Sequence, residues 1–264
     1  MNTDQWREIA NETLELMDRR SSVRHFEPRS IDPKHIDAIL HAAMRAPTAG
    51  NMMRYSILEV SDPGKKMQLS ETCGHAFVGD APLVLLFLAD MQRWYDFFAA
   101  FGVPSYCKQH GKPFITPKMS DLLMGCCDAL IAAQNSVIAA ESLCIGSCYI
   151  GDILGECEAH RAMFGLPQWA FPVTLVCYGY RAEDTPRQRS TRFAKEFICF
   201  RDTYKHLSRN DFSAMFADIE AKFAGILEER NLSLAQLTVQ GLTLGEAATE
   251  QRRSVAKLLE IWLG

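Results

Sequence analysis

Apolar positions recur along this chain in two rhythms, one helical and one extended. Helical spacing marks residues 4–18 through Trp6, Ile9, Ala10, Thr13 and Met17, with Thr3 as the cap. A second helix begins at Asp32-Pro33, because aspartate caps a helix and proline is tolerated at its first position. Ile36, Ile39, Leu40, Ala43 and Met44 form its buried stripe, and Pro47 stops it near Arg45 or Ala46. Residues 120–143 are apolar around most of a helical surface, which predicts a helix in the middle of the protein. Residues 208–226 read as an amphipathic helix capped by Ser208, and a further helix falls near 247–263.

The extended rhythm predicts strands at 55–60, 83–89 and 173–180. The second is a short, unbroken apolar run bounded by proline and aspartate, as expected of a strand covered on both faces. Ser61-Asp62-Pro63-Gly64 reads as a turn, and Gly146 as the cap that ends the long helix. Residues 90–117 look irregular and are rich in aromatics. Helices and strands alternate, so the class is mixed α and β. One domain is expected over residues 1–226, followed by a helical extension over 227–264.

Composition narrows the function. A chain of 264 residues that is 48% hydrophobic and 23% charged is globular rather than disordered. Its net charge of −4 gives no broad attraction to nucleic acid or to an anionic membrane. A phosphate site must therefore be a local cluster of basic residues. Asp4, Glu8, Glu12 and Glu15 interrupt any leader-like apolar stretch, and the strictly apolar run 81–89 is too short to span a bilayer. The expectation is a soluble, cytoplasmic protein. The nine cysteines include no Cys-x-x-Cys pair, so they are expected to be reduced thiols rather than a metal site.

Four segments carry candidate chemistry. In Arg20-Ser21-Ser22-Val23-Arg24, residues 20, 22 and 24 share one side of an extended chain and offer forked and rotatable donors to a phosphate. A basic helix end that offsets the helix dipole is the competing explanation. Pro47-Thr48-Ala49-Gly50-Asn51 offers polar groups beside a flexible glycine, or is simply a loop after a helix. At Tyr149-Ile150-Gly151, the glycine lets backbone N–H groups approach a ligand closely. Arg187, Arg189 and Arg192 form a basic run, or a solvated loop. No Ser-His-Asp order, paired-carboxylate motif or metal cluster stands out, which suits a cofactor that carries the chemistry itself.

In this order, these segments resemble the FMN-dependent nitroreductase family, and the subgroup of NADPH-linked nitroreductases and flavin reductases in particular. The resemblance rests on Arg20 to Phe26, Ala46 to Asn51, Ala132 to Leu143, Tyr149 to Gly151, and Leu166 to Tyr180. It implies an α+β fold, a mixed central sheet flanked by helices, in an intertwined homodimer with FMN at the interface. It also implies site roles. Arg20, Ser21, Ser22 and Arg24 hold the phosphate or the pyrimidine edge, and Arg189 and Arg192 complete the phosphate site. Pro47, Thr48 and Asn51 reach the flavin from the partner subunit. His75 makes a polar contact to the ring, and Tyr149, Ile150 and Gly151 lie beside it. Met52-Met53-Arg54-Tyr55 departs from the family pattern, as does Arg189-Ser190-Thr191-Arg192. The implied reaction is ping-pong transfer from NAD(P)H to a nitroaromatic, quinone or flavin. Reductive dehalogenation, flavin fragmentation and non-catalytic flavin binding remain open alternatives. Trp94 and Phe98 mark 90–117 as a candidate substrate lid, and Arg201, Lys205 or Arg209 as candidates for a 2′-phosphate site.

Overall fold

The computed structural model describes residues 8–183 and 190–264. Its centre is a sheet of four strands among the described residues: β1 (Tyr55–Glu59), β2 (Leu83–Asp90), β3 (Gly146–Ile150) and β4 (Ala170–Gly179). Their order is β1-β2-β4-β3, and every neighbouring pair is antiparallel. The parallel component is a single bridge at the edge, Ser22 against Ser147. β2 is covered on both faces, as its unbroken apolar run predicts. Leu83, Leu85 and Phe87 enter one core cluster, while Val84, Leu86 and Leu88 enter another. That split is the period of two expected of a strand.

Helices cover each face. On one lie α1 (Glu12–Arg19), α2 (Pro33–Met44) and the long α7 (Met119–Ser142); on the other lie α3 (Pro63–Thr72), α4 (Phe77–Asp80) and α8 (Cys157–Phe164). Between them in sequence come α5 (Gln92–Ala100) and α6 (Val103–Gln109). α7 is long and apolar enough to cross a membrane by length and composition. Here Ala129, Ala132, Ala133 and Val137 are fully buried in the core of the unit, and Asp128 and Glu141 are buried on the same helix.

The chain divides into two compact units, one of residues 1–187 with 250–264, the other of 188–249. The second contains α9 (Arg209–Arg230) and α10 (Leu234–Leu242), each opened by a serine capping box, and the boundary expected at residue 226 falls inside α9. The last helix, α11 (Glu246–Leu263), has its residues from Glu250 onward in the first unit.

Several expectations change. The first expected helix is broken: Glu8 and Ile9 are helical, residues 10–11 are not, and α1 starts at Glu12 because Asn11 accepts the Leu14 N–H and caps it there; Thr3 and Trp6 lie outside the described residues. Met44 is exposed rather than buried. Ser61–Gly64 is not a free turn. Asp62 caps α3 and Pro63 takes its first position, the device already seen at Asp32-Pro33. Residues 90–117 are not irregular, for α5 and α6 occupy most of them. Gly146 does not end the long helix. Leu143 is the C-cap, Cys144 takes the left-handed conformation, and Gly146 opens the unforeseen strand β3. A Cβ at Gly146 would overlap the Val23 side chain, so a glycine is needed there for close approach rather than for turning.

Candidate functional site

The basic segment is fixed by its backbone. After α1 ends, the chain runs extended along the sheet edge: Val23 N–H donates to Ser147 O at 2.9 Å and Glu27 N–H to Tyr180 O at 2.9 Å. Phe26 bridges Arg181. An extended chain alternates its side chains. Val23 packs inward against Gly146, whereas Ser22 and Arg24 are exposed. Ser21 also turns inward, and its hydroxyl accepts from Arg181 Nη2 at 2.8 Å, so its side chain is already engaged within the chain.

Arg20, Ser22 and Arg24 gather over β3. Burial pushes the Cys148 thiol up, and Arg24, the Ser22 hydroxyl and Arg20 pull it back. Burial likewise raises the Tyr149 phenol to about 12, against the opposing pull of Arg20. Arg20 Nη1 is buried with no hydrogen-bond partner among the described residues. A buried guanidinium N–H without an acceptor is costly, and an anionic or carbonyl oxygen of a ligand would satisfy it. The cluster of two arginines and a hydroxyl therefore fits the phosphate or pyrimidine edge of FMN.

The Tyr149–Gly151 turn leaves the end of β3 beside this cluster. Tyr149 Oη donates to Gln134 Oε1 of α7 at 3.2 Å, and Ile150 is buried beneath. Gly151 is exposed, with nothing within 4 Å of where a Cβ would stand. His75 joins the turn by its Nε2, 3.0 Å from Asp152 Oδ2. Arg20, Ser22, Arg24, His75, Tyr149, Ile150 and Gly151 thus belong to one region.

The Pro47–Asn51 loop is elsewhere. Asp128, 2% exposed, accepts from Ala49 N–H at 3.2 Å and Arg54 N–H at 3.1 Å, and Thr48 Oγ1 accepts from Met53 N–H at 3.2 Å. Gly50, Asn51 and Met53 all have positive φ, a conformation that L side chains rarely adopt without tight restraint. Arg19 meets Glu141 at 3.8 Å near the other end of α7. Asp128 and Glu141 are about 20 Å apart along the helix axis at 1.5 Å per residue. Tyr149, beside Arg20, meets the same helix at Gln134, about 9 Å along the axis from Asp128. Trp94 Nε1 donates to Met52 O at 2.9 Å and its ring meets Phe98, so α5 is tied to this loop. Arg187 and Arg189 lie outside the described residues. Arg192 is exposed in the second unit, its Nη1 donating to Thr191 O at 3.4 Å.

Sequence reasoning passed over Asp128, Asp152, Arg181 and the α11 residue Gln251, whose Nε2 donates to Gly151 O at 3.2 Å. Asp128 carried a legible signal: a carboxylate in the middle of an apolar helix is rarely buried without a task. The others become visible only when the sheet edge and the last helix are folded.

Comparison with known proteins identifies the family. The sequence model of the Nitroreductase family matches residues 17–180, which takes in the basic segment, the Pro47 loop and the Gly151 turn. The NADPH-flavin oxidoreductase of Vibrio harveyi is 25% identical over 239 residues, 90% of this chain and 93% of its own. The FMN reductase (NADPH) of Bacillus subtilis is 29% identical over 203 residues, 76% of this chain and 78% of its own. In fold, the chain is similar to the NfrA1 nitroreductase of B. subtilis, with a TM-score of 0.79 at 24% identity over 94% of this chain and 98% of that one. With the family's sequence pattern over more than half its length, the chain belongs to the nitroreductase family.

Proposed function

We propose that the protein is an FMN-dependent oxidoreductase that uses NAD(P)H to reduce nitroaromatics, quinones or flavins by a ping-pong cycle. The observation that carries this reading is the buried, partnerless Nη1 of Arg20, set beside Ser22 and Arg24 on the edge of β3. Membership of the nitroreductase family, with relatives named as NADPH-linked flavin reductases, supports it. When bound, FMN supplies the chemistry, taking hydride from NAD(P)H and passing it to the acceptor.

The chain's own residues bind and orient. Arg20 and Arg24 provide charge-assisted donors, Ser22 a hydroxyl, and the Tyr149–Gly151 turn its backbone N–H groups. Donors fixed in a desolvated site stabilise negative charge far better than mobile water does. Ser21 takes part through the backbone, since its side chain serves Arg181. Arg189 and Arg192 remain assigned to the phosphate by resemblance alone.

The loop of Pro47, Thr48 and Asn51 is assigned to the flavin of a second copy. The apolar side chains that α7 leaves exposed, Leu123, Leu130 and Ile131 among them, support a homodimer. The cytoplasm, where NAD(P)H is regenerated, is the proposed compartment, and nine free cysteines suit it.

The test is an absorption spectrum during anaerobic NADPH titration of protein reconstituted with FMN. Bleaching of the flavin bands, followed by recovery on adding a quinone, is the expected result. A protein that binds FMN but never bleaches is a binding module and not this enzyme.

A further inference from the structure

The last helix reaches back to the turn beside the candidate flavin site. On α11, Glu250, Ser254, Leu258 and Trp262 recur every four residues and share one face. The apolar half anchors it: Leu258 and Trp262 are buried against Trp169 and Phe171, Trp262 Nε1 donates to Lys118 O at 3.1 Å, and Trp169 Nε1 donates to Trp262 O at 3.1 Å. The polar half meets residues 151–158. Ser254 Oγ accepts the Cys157 N–H at 2.7 Å, Glu250 Oε1 accepts the Glu156 N–H at 3.2 Å, and Arg253 forks onto Glu158 with both contacts at 2.8 Å.

These contacts fill a local deficit. The first N–H groups of any helix lack partners. Glu156, at the N-cap of α8, makes no side-chain cap bond and sits in the left-handed region with φ 45°. α11 supplies the missing acceptors from far along the chain. Gln251, one step round the helix, addresses the turn itself by donating to the Gly151 carbonyl at 3.2 Å. Gly151 has no side chain to restrain it, and its neighbour Asp152 is held from the other side by His75.

We infer that α11 is a positioning element of the redox site and that Gln251 is its positioning residue, fixing the Gly151–Asp152 peptide plane by holding the Gly151 carbonyl. This rests on the FMN reading, in which backbone N–H groups of this turn face the reduced flavin. With that plane fixed, Gly151 is held from its carbonyl side, and its own N–H, on the adjoining peptide, keeps its direction before charge develops. Without it, reduced FMN loses stabilisation that oxidised FMN never needed.

The experiment compares the affinities of the apoprotein for oxidised FMN and for dithionite-reduced FMN, together with the potential of bound flavin and the thermal midpoint. Gln251→Leu removes the donor. Gln251→Glu keeps the shape and cannot donate. Gln251→Lys restores a donor. Both donor-free variants are expected to lower the preference for reduced FMN by about fivefold, the worth of one ordinary hydrogen bond. Gln251→Lys is expected to return it towards wild type. A purely structural role would lower the thermal midpoint and leave the preference and the potential unmoved, which overturns the inference. Failure of the lysine variant to restore the preference overturns it too. If wild-type apoprotein takes up no FMN, the FMN reading itself falls, an outcome distinct from yellow protein with an unchanged preference.

Discussion

The basic segment and the Pro47–Asn51 loop are both candidate cofactor contacts, yet they are held by opposite means. The segment is fixed by backbone hydrogen bonds to the sheet edge, and its arginines stay free to meet a ligand. The loop has no sheet to lean on. Over residues 47–54, where Gly50, Asn51 and Met53 have positive φ, a buried carboxylate takes the Ala49 and Arg54 N–H groups. In the first region, binding and folding reside in different atoms. In the second, side chains maintain the geometry, Asp128 with Thr48 and Trp94, and the loop's contacts come with them.

The largest expected effect breaks the comparison on the binding side. Arg20→Ala with Arg24→Ala should weaken FMN binding at least about 100-fold, since each charge-assisted bond contributes about 1.5–3 kcal/mol. The urea midpoint should hardly move. Fluorescence titration of apoprotein measures the first, and full retention of FMN would show that the phosphate sits elsewhere.

Next comes the loop. Asp128→Ala leaves the Ala49 and Arg54 N–H groups without their acceptor and should cost about 2–4 kcal/mol of stability. Asp128→Asn can still accept one of them and should lose less. Urea unfolding ranks the three proteins, and a loss below about 1 kcal/mol for the alanine would remove Asp128 as the loop's anchor.

The smallest effect sharpens the backbone side. Gly146→Ala forces a Cβ onto Val23 and should cost about 1–3 kcal/mol. Adding Val23→Ala makes the room, so the double variant should lose less than the two single losses together. Strict additivity in that cycle would mean that the strand edge yields instead of the side chain.

The strongest sequence signals were local ones. The Asp32-Pro33 cap, the unbroken β2 run and the long apolar helix are written within a few consecutive residues, and they appear where expected. The alternation of Arg20, Ser22 and Arg24 was legible for the same reason. β3 was not, because Gly146 looks like a helix stop until Val23 is folded onto it. At Asp62-Pro63, the capping pattern was present but was taken for a turn. Gln251 and Arg181 act on residues far away in sequence, and no local pattern announces a partner 100 or 160 positions distant.

The distance between Gln251 and Gly151 also has a temporal meaning. At about 5–20 residues per second, a ribosome adds the α11 clamp roughly 5–20 s after the turn it holds. Until then α8 lacks the acceptors that Glu250 and Ser254 bring. The turn at Gly151 thus gains its α11 contacts only when the last helix has been made.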